Sequence, residues 1–345
     1  MNGRLDRLRA TLEEPLLVTH GPNVLYLTGF SSSNAALLVE PERVRLFTDF
    51  RYVDAARAVE GVELVETKRS LVGALAELLE SRIGFEADAV SYANWETLHS
   101  GGLELVPRRG LVEALRAVKD DGELRSIRRA AEITSRAYDR FSEERFIGRT
   151  ERELAWRLDE LFHEHGAHAP AFETIVASGP NSARPHARPT HRRVEAGETV
   201  VIDAGAQVDG YCSDCTRTFA TGPLPEELRT AYLTTLDGQL AGLEAARAGI
   251  TGVDADAAAR DRIEAAGYGA NFGHGLGHGV GLDIHEAPRL SRESTDTLAT
   301  GNVVTVEPGI YLEGLGGIRI EDLVIVTDGE PEILTTSTKD LIEVG

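Results

Sequence analysis

Short apolar runs bounded by turn residues alternate with helical periodicities over the first third of the chain. The runs at 15–19, 35–39 and 44–48 predict strands, and 82–86 predicts another. Stretches 54–59, 71–80 and 92–99 carry helical spacing between them. This alternation predicts a small α/β domain with a covered, mostly parallel sheet. No phosphate-binding glycine fingerprint opens any of its helices, which argues against a nucleotide domain.

Near Lys119 the pattern changes. Asp120-Asp-Gly-Glu opens a long amphipathic helix with acids in its first turn, where the helix dipole favours them, and Leu124, Ile127 and Ala131 mark its apolar face. A second helix, 151–165, repeats Leu154, Leu158, Leu161 and Phe162 on one face and stops at Gly166. The domain boundary falls just before the first of these, giving domains 1–117 and 118–345. Strands follow near 172–177 and within 198–220, then helices over 225–248 and 253–266, then strands near 303–307 and 318–327. The order helix, helix, strands thus occurs twice, a repeat of architecture without a repeat of residues. Each half closes on a hairpin that carries two acids among apolar neighbours.

The densest chemistry lies in Asn271-Phe-Gly-His274-Gly-Leu-Gly-His278-Gly-Val-Gly-Leu-Asp-Ile-His285-Glu286. His274 and His278 would share a helix face, but alternate glycines, each costing about 1 kcal/mol in a helix, argue against one. Glycine here predicts close approach of the backbone to a ligand. His163, His165 and His168 sit at a predicted helix C-terminus, which suits them electrostatically without a metal. Cys212 and Cys215 form a single C-x-x-C, a weak zinc signal without a second pair.

Charge narrows the partners. The 56 acidic residues exceed the 36 basic ones by 20, a field that repels nucleic acid and anionic lipid. No apolar run is long enough to span a membrane, and the first residues lack a signal-peptide core, so a cytoplasmic enzyme is expected.

The acids carry the argument further. A two-residue turn at Asp209-Gly210 sets Asp214 opposite Gly205 and diagonal to Asp203; a four-residue loop sets it opposite Asp203 itself. Both registers put the two acids on one face. Val200-Val-Ile makes that face too apolar to be solvated. Two carboxylates about 5 Å apart repel by roughly 3 kcal/mol at an effective dielectric near 20, so the pair must share a proton or a cation. Glu307 ends the apolar run Val303-Val-Thr-Val, and Glu321 lies inside another run with Arg319 on its face. Four such acids near neutral pH predict two divalent cations, with an imidazole completing the coordination.

The series Asp203, Asp214, His278, Glu307, Glu321 resembles the metal ligands of the pita-bread metallopeptidases, the family of methionine aminopeptidase, aminopeptidase P and prolidase. Pro22-Asn-Val-Leu-Tyr-Leu-Thr-Gly-Phe30 resembles the N-terminal domain of the prolidase and aminopeptidase P branch, which methionine aminopeptidases lack. The resemblance implies an α/β N-terminal domain joined to an α+β pita-bread catalytic domain with pseudo-twofold halves. It implies Asp203 on one metal, Asp214 and Glu321 bridging, and His278 and Glu307 on the other. The ions are expected to be manganese, with cobalt, zinc or iron as alternatives. Catalytic roles fall on His186, His285 and Glu307, with His186, His274, His285 and Arg319 around the substrate and Arg319 also holding an acid in place.

The implied reaction is hydrolysis of the Xaa-Pro bond by a hydroxide between the two cations, on dipeptides foremost and on longer peptides as the alternative. A homodimer is implied as well. A metal-free creatinase-like hydrolase and a non-enzymatic peptide-binding module are both disfavoured, because all five ligand positions are filled.

Overall fold

The computed structural model describes residues 3–80 and 82–345, and the chain divides into two compact units, Met1–Arg116 and Ala117–Gly345. In the first, β1 (Leu16–Val18), β2 (Ala35–Val39), β3 (Val44–Asp49), β4 (Glu63–Thr67), β5 (Arg82–Glu86) and β6 (Glu104–Arg108) form one sheet in the order β4-β3-β2-β1-β5-β6. Only β2 runs antiparallel to its neighbours among these strands. Leu17, Leu38, Phe47 and Ile83 bury one face against Leu71, Leu75 and Leu98. The sequence pattern misses β4 and β6, the two edge strands, because edges bury little and keep polar residues. It also misses the helix Gly21–Thr28, which has proline in its first turn and the left-handed Gly29 at its end.

The second unit opens with helices Asp121–Phe141 and Glu151–Glu164, each started by a capping box: Asp120 with Glu123, and Thr150 with Glu153. Strands β7 (Ala169–Pro170), β8 (Ile175–Ser178), β9 (Thr199–Asp203), β10 (Ala206–Val208), β11 (Tyr211–Cys212) and β12 (Thr216–Ala220) follow. Helices Glu226–Ala245 and Gly252–Ala265 lead into β13 (Gly277–Gly279), β14 (Glu286–Leu290), β15 (Val303–Val306), β16 (Gly309–Leu312), β17 (Gly316–Arg319), β18 (Asp322–Ile325) and β19 (Glu332–Ile333). In the first half Ile133, Phe141, Leu158 and Phe162 pack on Val200, Ile202 and Phe219. In the second, Leu243 and Ala259 pack on Val304, Val306 and Val324.

The hairpin at Asp209-Gly210 takes the two-residue form. Both residues have positive φ, 53° and 84°, and Val208 pairs with Tyr211. The same register continues to Asp203 opposite Thr216, so Asp214 faces Gly205. A Cβ at Gly205 would lie 1.8 Å from Ser213 O, so only glycine fits opposite the acid. In the second hairpin Val306 pairs with Asp322 and Gly309 with Arg319, bracketing Glu307 and Glu321 at the break between two ladders. Glu321 therefore sits in the link from β17 to β18, not inside a strand as the sequence suggested.

Two glycines of the histidine stretch are required by backbone packing, and Gly275 and Gly277 line a cavity that opens on the acids. Gly277 and Gly279 belong to β13, the strand between β14 and β15. A Cβ would lie 2.0 Å from Thr305 O at Gly277 and 2.2 Å from Ala287 O at Gly279. The two halves join through side chains as well: Arg319 N donates to Thr218 Oγ1, which donates to Arg319 O, and Glu321 N donates to Thr216 O.

Candidate metal centre

Each acid is placed by a different part of this frame. Asp203 ends β9, Asp214 lies between β11 and β12, Glu307 follows β15, and Glu321 precedes β18, while His278 is the central residue of β13. Helix Asp121–Phe141 fixes the first pair from behind. Tyr138 Oη lies 2.7 Å from Cys215 O and 3.1 Å from Ile202 O, and Thr134 Oγ1 accepts from Ala206 N.

The outcome is one cluster. Carboxylate oxygens of Asp203, Asp214 and Glu321 lie within 4.8 Å of one another. His278 Nε2 stands 3.2 Å from Glu307 Oε1 and 3.7 Å from Asp214 Oδ2. All five residues singled out as metal ligands in the sequence are therefore brought together.

Burial and the neighbouring carboxylates push Asp214 and Glu321 well above the usual carboxylate range. Burial would also raise Glu307, but its hydrogen bond with His278 holds it at about 2. Burial would lower His278, and the same bond to Glu307 raises it instead. Asp203 Oδ1, Asp214 Oδ1 and Glu321 Oε1 are buried without a hydrogen-bond partner among the described residues. Orphaned acceptors of this kind are rare, and three in one cluster match a cation site. His278 Nδ1 donates to Gly279 O, so loss of the proton on Nε2 would turn that nitrogen's lone pair toward the acids. Four carboxylates and one imidazole form a donor set that suits divalent cations, so the residues fit the metal that the sequence implied.

Arg319 braces this cluster. Its Nη2 donates to Asp203 Oδ2 at 2.6 Å, its Nε to Thr216 Oγ1, and Thr216 Oγ1 in turn donates to Glu321 Oε2 at 2.7 Å. Nη1 reaches Pro185 O and Tyr311 Oη. Tyr311 Oη also meets His274 Nε2 at 2.9 Å, while His274 Nδ1 donates to Gly275 O. His274 and Arg319, expected around the substrate, belong to this network as well. Both line the cavity, but both ring nitrogens of His274 and most donors of Arg319 are engaged within the protein. Tyr311 was missed, although alternation from Glu307 through Gly309 puts it on the ligand face.

A cavity of about 560 Å³ opens on the cluster. Phe172, Ile175, Pro185 and Ile284 give it apolar wall, and the exposed His186 and His285 stand in it. The His285 ring is 4.4 Å from that of His278, and burial, then His278, lowers its pKa, so it is neutral at pH 7. Arg289 is the second residue that sequence reasoning missed. Its exposed guanidinium lines the cavity and has no hydrogen bond or ion pair among the described residues. His163 and His168 lie apart from this site: His163 Nδ1 contacts Ala167 O, and His168 Nδ1 accepts from Asp209 N. Cys212 and Cys215 are buried and form no disulfide.

The chain belongs to metallopeptidase family M24, whose pattern matches residues 125–328, and residues 4–118 match the creatinase/prolidase N-terminal domain. Its architecture is accordingly an α/β domain followed by the pita-bread fold. It is 35% identical to the Xaa-Pro dipeptidase of Pyrococcus furiosus over 99% of this chain and 100% of that one. Among solved structures it is similar to an Xaa-Pro dipeptidase from Bacillus anthracis (TM-score 0.94, 38% identity, 99% of each chain). It is also similar to the X-Pro aminopeptidase of Thermotoga maritima (TM-score 0.89, 36% identity, 99% of this chain and 100% of that one).

Proposed function

We propose that this chain is a metal-dependent exopeptidase that hydrolyses the Xaa-Pro bond of dipeptides, with residues 118–345 as its catalytic domain. The observation that carries the reading is the trio of buried, unpartnered oxygens on Asp203, Asp214 and Glu321, beside His278 and Glu307. Asp203 would hold one ion, His278 and Glu307 the other, and Asp214 and Glu321 both. Manganese is the favoured metal for so carboxylate-rich a set. When bound, two such cations supply Lewis acidity, acidifying a water toward neutral pH and polarising the scissile carbonyl.

The chain's own residues supply the remaining chemistry. Glu307 Oε1 accepts from Thr305 Oγ1, which leaves Oε2 to take the proton of the attacking water. His285, neutral at pH 7, and His186 stand in the cavity to donate to the developing oxyanion and to the leaving proline nitrogen. Phe172, Ile175 and Ile284 offer apolar wall for the proline ring.

Arg289 favours the dipeptide. A dipeptide places its C-terminal carboxylate one residue from the scissile bond, and Arg289 offers an uncommitted cation in the same cavity. The competing reading, an aminopeptidase acting on longer Xaa-Pro peptides, draws on the similarity to the Thermotoga maritima protein. Assaying an Xaa-Pro dipeptide beside an Xaa-Pro-Xaa tripeptide separates the two: turnover of the tripeptide alone reverses the choice.

The proposed setting is the cytoplasm, which agrees with two buried cysteines that form no disulfide. No described helix is long and apolar enough to cross a membrane. A homodimer is the proposed assembly, and light scattering on the purified chain tests it.

A further inference from the structure

At the cavity wall lies an ion pair that the chemistry above does not use. Lys119 Nζ donates to Glu286 Oε1 at 2.7 Å, with 1% of the lysine side chain and 7% of the glutamate side chain exposed. The lysine is anchored at its own backbone, where Lys119 N donates to Gly301 O and Asn302 Nδ2 donates to Ala117 O.

Glu286 opens β14 and lines the cavity directly after His285. The β13–β14 ladder shifts register between His278, paired with Arg289, and Gly279, paired with Glu286, and this shift throws 280–285 out as a turn. The Glu286 carboxylate folds back inside that turn. A Cβ on Gly281 would lie 2.5 Å from Glu286 Oε1, and Gly281 N donates to Asp283 O across the same turn. The turn that presents Ile284 and His285 thus packs against a carboxylate, and Lys119 donates to the same oxygen that Gly281 approaches. A buried ion pair is a poor source of stability compared with apolar packing, so its value here lies in fixing geometry.

We propose that Lys119 is a positioning residue for substrate binding: through Glu286 it sets the turn 281–286 and so places His285 and Ile284 on the cavity wall. The proposal rests on the peptidase reading above.

The test compares Lys119→Met, Glu286→Gln and the double variant. Either single change leaves one charge of the buried pair uncompensated by the other and risks misfolding, whereas the double variant removes both charges and carries the decisive measurement. Its Mn²⁺ affinity by calorimetry is expected within about threefold of wild type, with KM for an Xaa-Pro dipeptide raised about tenfold and kcat lowered as well, because His285 also serves the developing oxyanion. A merely structural role would shrink the active fraction, lowering apparent kcat with KM unchanged, and that result overturns the proposal. Histidine ¹⁵N spectra of the same protein give a readout independent of turnover, with His285 assigned through His285→Gln. Its resonances are expected to move in the double variant while those of His163 stay. An unmoved His285 overturns the proposal. A wild type inactive on dipeptides with a displaced His285 overturns only the peptidase reading.

Discussion

Arg319 Nη2 donates to Asp203 Oδ2 at 2.6 Å, joining the second half of the catalytic unit to the first at the carboxylate cluster. The guanidinium is buried and reaches Glu321 as well, through Thr216 Oγ1. Arg319→Met leaves Asp203 without that partner and free to turn. Metal affinity and kcat/KM are each expected to fall about 10- to 100-fold, as measured by calorimetry and steady-state kinetics. A variant with both within about twofold of wild type would show that Asp203 is positioned by something else.

Asp214 and Glu321 titrate above the ordinary carboxylate range in the metal-free fold. Between the unfolded and folded values the folded chain binds more protons, so stability falls as pH rises through that window. The raised His278 adds in the same direction. Glu307 acts oppositely, and its contribution is lost only as pH falls toward about 2. Metal-free protein should therefore melt lower at about pH 8 than at about pH 5, and Mn²⁺ should flatten the difference. Asp214→Asn removes one titrating group and should show a shallower decline. An equal slope in the variant would place the effect outside the cluster.

Gly277→Ala would set a Cβ 2.0 Å from Thr305 O, a backbone atom that cannot move without the β15 strand. The expected loss is about 3 kcal/mol or complete failure to fold. Gly273→Ala, four residues earlier, meets nothing within 4 Å and should stay within about 0.5 kcal/mol of wild type. Denaturant melts of the two variants check the contrast, and equal stabilities would refute it.

These cases show which features the sequence made legible. The turn at Asp209-Gly210 was readable because a two-residue loop fixes register by itself, and that register carried Asp203 and Asp214 to one face. The helix start at Asp120 was readable from its acids, and the helix from Glu151 from its apolar spacing. Strand β13 was not, since Gly-His-Gly has no side-chain alternation and its glycines answer to neighbouring backbone. Tyr311 and Arg289 went unread because their importance lies in which partners they find or lack in space.

Arg289→Met should raise KM for an Xaa-Pro dipeptide about tenfold while altering KM for the corresponding dipeptide amide by less than about twofold. The amide lacks the carboxylate that the guanidinium would hold. Equal effects on both substrates would remove Arg289 from the recognition of the C-terminus.

The most direct measurement counts metal against turnover. Protein stripped by a chelator and reloaded with Mn²⁺ should bind about two ions per chain, with activity absent before loading and restored in proportion to occupancy. Asp214→Ala should bind the ions poorly and lose more than about 100-fold in turnover. Full peptidase activity in metal-free protein, or an Asp214→Ala variant within about tenfold of wild type, would contradict the account.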